Sequence, residues 1–241
     1  MPSPLRLLPP ALRTRVRRGL VRLARPAWLG MLHRTTPLSD HWGMERGMPI
    51  DRHYIARFLD AHRDDIRGHA LEVKDSGYVD MFGAAVTRVD VLDIDRTNSA
   101  ATIVADLCSA DAVPSDEFDC IVLTQTLQFI FDVTAAIRHL HRMLRPGGVL
   151  LTTVPSIIRS DRVLGNQDYW RFTTTTCRRL FGETFGDQYV DVGSFGNVLA
   201  AVAFLMGMAR EELSRGELDT HDDRFPVLIT VRAVKAAGHT T

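Results

Sequence analysis

The sequence predicts an α/β fold: a mostly parallel sheet of seven strands, antiparallel at its C-terminal edge, with helices on both faces. Three observations predict it. Short apolar runs alternate with helical patterns through the middle of the chain, the signature of strands joined by crossover helices. Those runs are apolar throughout, as strands buried on both faces must be. From Tyr189 onward two β-rich runs flank a long apolar helical pattern, which suits an antiparallel pair at a sheet edge.

The elements follow in order. Residues 51–66 (DRHYIARFLDAHRDDI) set Tyr54, Ile55, Phe58, Leu59 and Ile66 at helical spacing behind Asp51, a capping residue type. Gly68 ends that helix, and HALEV (69–73) reads as a first strand. VTRVDVLDID (86–95), ATIVADL (101–107) and FDCIVLTQT (118–126) read as the second, third and fourth strands. VTAAIRHLHRML (133–144) is an amphipathic helix closed by Arg145, Pro146, Gly147 and Gly148, and GVLLTTVP is a fifth strand ended by Pro155. YVDVGSF (189–195) and FPVLITVRAVK (225–235) supply the last two strands, with the helix VLAAVAFLMGMAREEL (198–213) between them.

With 241 residues, 45% hydrophobic and 24% charged, the chain can bury one sizeable core and carry an appendage. Lysine plus arginine equals aspartate plus glutamate, 29 each, which argues against a general nucleic-acid binder. Cys108, Cys120 and Cys177 are widely spaced, so neither a disulfide framework nor a zinc site is expected and a reducing cytoplasm fits. No apolar run approaches the roughly 20 residues that span a bilayer. The first 34 residues hold eight arginines and no acid, with Leu5, Leu8, Leu12, Val16, Leu20 and Leu23 along one helical stripe. Arginines interrupt every stretch that could serve as a secretory core. The stripe either packs as a lid or protein-partner surface or rests on an anionic membrane as a peripheral contact. The expected organisation is a basic N-terminal arm or helix (1–38), a helical lid segment (39–67) and a core (68–241).

The stretch DEFDCIVLTQTLQFIFDVTAAIRHLHRMLRPGGVLLTTVP (116–155) contains a strand opening on Phe-Asp, a loop, a helix, Leu-Arg-Pro-Gly-Gly and a strand ending at proline. In that order these elements resemble the second half of a class I S-adenosylmethionine-dependent methyltransferase core, and the resemblance extends over roughly residues 68–235. It implies a Rossmann-like sheet, S-adenosylmethionine as cofactor and a small-molecule or saccharide acceptor. VLDID is similar to the strand whose acid holds the ribose, and ATIVADL to the one whose terminal acid, here Asp106 with the backbone of Leu107, reads adenine. DYWRFT (168–173), followed by CRRLF and by GN (196–197), resembles bacterial methyltransferases associated with saccharide or secondary-metabolite tailoring.

Ligands of an open parallel sheet lie beyond the carboxyl ends of its strands, where the winding direction reverses. Glu72, Asp93, Asp95, Asp106 and Thr124 fall at such ends. Asp93 and Asp95 share a strand face at period two, so spacing does not choose between them as the ribose acid. The stretch LEVKDSGYVDMFG (71–83) carries Gly77 alone before Gly83, with Lys74 where the family has its first loop glycine. The absence of G-x-G-x-x-G disfavours a nicotinamide dehydrogenase. A sulfonium cofactor carries no phosphate, so Gly77 can suffice for close approach if its φ is unusual, with Glu72 opening the loop and Asp75 beside it. Eight residues separate Gly77 from Val86, so the helix after the loop is expected to be short or missing.

From the connector before the core, Arg46 is expected to fork onto the cofactor carboxylate, and Trp42 to meet the acceptor. Tyr169, Trp170 and Arg171 are further acceptor contacts, since aromatic faces suit sugars or flat metabolites. No histidine follows the fourth or fifth strand, which leaves His41 and His221 as candidate bases. No metal site is expected. The reading is methyl transfer to an oxygen, less readily a nitrogen, of a small metabolite or saccharide. Its alternative is a non-catalytic, partner-docking protein whose cofactor loop has eroded.

Overall fold

Parallel strands need crossovers, and around one seven-stranded sheet the chain supplies some as short helices and others as irregular connections. The computed structural model describes Pro9, residues 33–161 and residues 167–238. The expected basic arm and its leucine stripe lie outside the described residues. The chain from Leu38 onward forms one compact unit that includes the connector 39–67.

The strands are β1 (Arg67–Val73), β2 (Ala85–Asp93), β3 (Ile103–Val104), β4 (Phe118–Thr124), β5 (Leu144–Pro155), β6 (Val190–Phe195) and β7 (Leu228–Val234). They lie in the order β3-β2-β1-β4-β5-β7-β6. β1 pairs in parallel with β2 and β4, and β4 with β5. β7 runs antiparallel to both β5 and β6, as the change of pattern after Tyr189 predicts.

The helices are α1 (Ile50–Ala61), α2 (Gly77–Phe82), α3 (Val133–Met143), α4 (Thr174–Phe185), α5 (Val198–Leu205) and α6 (Arg215–Asp219). Strand residues alternate between two cores: Ile121, Leu123 and Leu150 meet α3 and α4, while Cys120, Val122 and Leu151 meet α1, α2, α5 and α6.

Three helices differ from expectation. α1 begins before Asp51, which is buried within its first turn and accepts from Arg52 N, so the N-cap is Pro49 without a side-chain cap. The helix stops at Ala61, where His62 Nδ1 lies 2.9 Å from the Phe58 carbonyl, and a single 3-10 turn then carries Ile66 into the core. α5 stops at Leu205 because Gly207 turns left-handed (φ +71) with the Ser39 backbone where a Cβ would stand. α2, the helix after the loop, is short at six residues, as expected. α4 was not expected, although Cys177, Phe181 and Phe185 are buried four apart behind the N-cap Thr173, whose side chain accepts from Thr176 N.

Candidate cofactor and acceptor site

The winding reverses between β1 and β4: the chain moves outward through β2 and β3 on one side and through β5 on the other. The crevice beyond these strand ends is therefore the place for a ligand. β2, β1 and β4 end side by side there, bringing Asp93, Glu72 and Thr124 to one rim.

Glu72 is buried and accepts from Val79 N (2.8 Å) and from Tyr78 N (3.1 and 3.2 Å), so it caps the first turn of α2. Burial pushes its carboxyl up to about 7, against the pull of those N–H groups. Asp75 is exposed and accepts from Gly77 N at 2.9 Å. Both acids are used by the chain itself to shape the turn into α2. Gly77 does not adopt a left-handed φ; Lys74 does, at φ +81. The unusual backbone thus sits at Lys74 rather than at Gly77.

Asp93 is half-buried at the last position of β2. Its Oδ1 accepts from Asp95 N (3.0 Å) and its Oδ2 from Asn98 Nδ2 (2.6 Å). Asp95 is exposed and closes its own turn, accepting from Thr97 N and Thr97 Oγ1, which holds its carboxyl below the usual range. Asp106 is exposed, accepting from Cys108 N at 2.8 Å, with Leu107 buried beside it. Cys108 Sγ lies 3.8 Å from the Asp132 carbonyl, which sets this turn against the start of α3.

Beyond β4, Gln125 takes φ +47 and its N–H donates to the Thr153 carbonyl. The Gln128 carbonyl accepts from Tyr169 N (2.9 Å) and Trp170 N (3.2 Å), so the loops after β4 and β5 are stitched together. Trp170 Nε1 donates to the Ile130 carbonyl. Phe131, 70% exposed, stands with its ring 5.3 Å from Tyr169 and 6.0 Å from Trp170. Sequence reasoning missed Phe131, although it follows the fourth strand in an apolar loop.

The other candidates stand on the connector, on β6 or in the loop after β5, most of them engaged with protein partners. Arg46 is fastened to Glu212 through Nε and Nη2, and so is not aimed at a cofactor carboxylate. Arg171 forms a two-point pair with Asp168 (2.6 and 2.9 Å) and also donates to the Ile158 carbonyl, so it organises its loop. Trp42 takes φ +56 and lies under the Arg159 guanidinium, 3.8 Å from its ring centroid, against the loop after β5. His41 is exposed on the connector. His221 Nε2 is 3.0 Å from Ser194 Oγ on β6, two strand spacings or about 10 Å across the sheet from β5.

Among the described residues there is no cluster suited to a metal ion and no helix long and apolar enough to cross a membrane. Cys108, Cys120 and Cys177 are free thiols.

This sheet order, with one reversed strand inserted next to the edge and acids at the ends of β1 and β2, defines a Rossmann-like methyltransferase architecture. The methyltransferase-domain family matches residues 65–190, more than half of the chain, and the chain belongs to that family. Its fold is similar to that of a SAM-dependent methyltransferase from Archaeoglobus fulgidus (TM-score 0.52, 10% identity, covering 76% of this chain and 94% of that one). It is also similar to an S-adenosylmethionine-dependent methyltransferase from Mesorhizobium loti (TM-score 0.50, 15% identity, covering 77% and 98%). At such identities the likeness shows the fold alone. Among curated proteins none matches the sequence.

Proposed function

We propose that this protein binds S-adenosylmethionine and transfers its methyl group to an oxygen, less readily a nitrogen, of a small metabolite or saccharide. The observation that carries the reading is the rim formed by Asp93, the Lys74 turn and Thr124 at the ends of three adjacent strands. The residues suit the cofactor. An ionised carboxylate offers about four lone-pair sites, and Asp93 spends one on each oxygen, leaving the others for a ribose diol. Asp95 is the lesser partner, because it stands in solvent and closes its own turn. Asp106 and the Leu107 backbone would take the adenine edge.

When bound, the cofactor supplies an electrophilic methyl group on a sulfonium. The protein's part is then positioning: holding a nucleophilic atom in line with that methyl and excluding water, which can account for much of a rate enhancement. Phe131, Tyr169 and Trp170 offer their faces to the acceptor beside the ends of β4 and β5. Their shape suits a saccharide or flat metabolite. His41, exposed beside Trp42, and His221, 3.0 Å from Ser194 Oγ, are the candidate bases for the acceptor's proton.

Calorimetric titration with S-adenosylmethionine and with S-adenosylhomocysteine tests the cofactor. Asp93→Asn should weaken adenosylhomocysteine at least about tenfold, the loss of one hydrogen bond to a charged group, and Asp95→Asn by less. Equal effects, or no binding by the unaltered protein, overturn the assignment. Adenosylhomocysteine release above an acceptor-free control, across matched sugars and planar metabolites, tests turnover.

A further inference from the structure

We infer that Asn98 is a positioning residue for the adenosyl cofactor, locking the ribose acid Asp93 to the turn that follows β1. The inference rests on the cofactor reading above and extends it to a residue outside every motif in the sequence. Asn98 Nδ2 donates to Asp93 Oδ2 at 2.6 Å and to the Lys74 carbonyl at 2.7 Å, while its Oδ1 accepts from Ala100 N at 3.0 Å. The amide orientation is fixed by chemistry: a backbone N–H only donates, and a carbonyl and a carboxylate only accept. The asparagine backbone is pinned as well, with Asn98 N donating to the Asp95 carbonyl and Ala101 N to the Asn98 carbonyl.

Asn98 therefore joins two groups that repel. The Asp93 carboxylate and the Lys74 carbonyl both present negative oxygen, and one NH2 group lies between them. Lys74 itself sits in a left-handed conformation that costs an L-residue about 1–2 kcal/mol. Its N–H is held by the Leu92 carbonyl on β2, and its carbonyl by Asn98, so the turn is fixed from both ends of one peptide pair. Asp93 would meet the ribose and the Lys74 turn would face the amino-acid tail. Through Asn98, the two halves of the ligand meet one rigid unit. Rigid pre-placement of binding groups raises affinity by lowering the ordering cost of association.

The test uses the full chain and adenosylhomocysteine as the probe. Asn98→Ala should weaken binding about tenfold or more. Asn98→Asp should weaken it further at about pH 8, where three acceptors face one another without a donor, and recover as pH falls toward about 4, since the Asp93 carboxylate beside it raises the introduced carboxyl above the ordinary value of about 3.9 and lets it regain a proton to donate. A purely structural role would lower the unfolding midpoint without giving the Asn98→Asp protein a pH-dependent affinity that the unaltered protein lacks. If both variants fold and bind within about twofold of the unaltered protein at every pH, the inference is overturned. Should Asn98→Asp fail to fold, Asn98→Ala and Asn98→Ser decide it: Ser, which keeps one donor, should bind better than Ala, and equal binding refutes the role. Failure of the unaltered protein to bind is a separate result, which overturns the cofactor reading and this inference together.

Discussion

Lys74 shows how one residue can stand in for another chemistry. A glycine would supply a left-handed turn at this position at little steric cost, and here a lysine takes φ +81. The strain of about 1–2 kcal/mol exceeds the extra chain entropy a glycine brings to the unfolded state, about 0.5–1 kcal/mol. Lys74→Gly should therefore raise stability by roughly 0.5–1 kcal/mol, read as a later urea midpoint with an unchanged slope. At this scale the sequence was only partly legible. Glu72, Asp93 and Asp106 stand at strand ends as their positions implied, but the partners that hold them do not follow from spacing. Arg46 finds Glu212 across 166 positions, and Asn98 finds Lys74 across 24. Contacts of that range are set by how elements pack, which no local pattern encodes.

Elements are more legible, because apolar periodicity acts within a few residues, whereas capping is less so: Asp51 lies inside α1, and the side-chain caps stand elsewhere. Asp132, Thr173 and Asn197 each cap a helix, accepting from Ala135 N, Thr176 N and Ala200 N respectively. Asn197 does more than cap. It is buried, and its Nδ2 donates at 2.7 Å to the carbonyls of Glu217 and Thr220, tying α5 to the α6 turn. Asn197→Ala should cost about 2–3 kcal/mol, combining a lost cap with two carbonyls left short of a donor, whereas Asp132→Ala should cost about 1 kcal/mol. Chemical denaturation of the two variants compares them. Apart from α4, the differences at this scale lie at ends: long-range packing at Ile66 and Gly207 stops α1 and α5 short of the length their periodicity implies. α4 escaped notice because Thr-rich and arginine positions diluted its buried stripe.

Across the whole molecule, buried charge links stability to pH. The Glu72 carboxyl is held near 7 in the fold and has an ordinary value of 4.5. The folded state thus keeps a proton that the unfolded chain releases, so stability falls as pH rises from about 4.5 to about 7 and is level above it. A shift of this size corresponds to something on the order of 3 kcal/mol. Carboxylates held low, such as Asp168 beside Arg171, act at more acidic pH and with the opposite sign. Glu72→Gln should remove the fall, so that urea midpoints at about pH 5 and pH 8 differ less than in the unaltered protein. A second buried network stands at the opposite end of the sheet: His69 bridges Asp90 (2.7 Å) and Glu117 (3.1 Å), joining β1, β2 and the approach to β4. The global fold was the most legible level of all, since alternation of strand and helix leaves few topologies open.

The placement of β7 has a bearing on how the protein is made. Its seven residues are translated after every other strand, yet they insert between β5 and β6 and pair with both along nearly their whole length. Until they emerge from the ribosome, β5 has a bare flank and β6 has no neighbour, so the nascent chain carries a sticky template that only its own late segment should fill. The half of the sheet that would grip the cofactor can assemble early, while completion waits on the last strand to be threaded home.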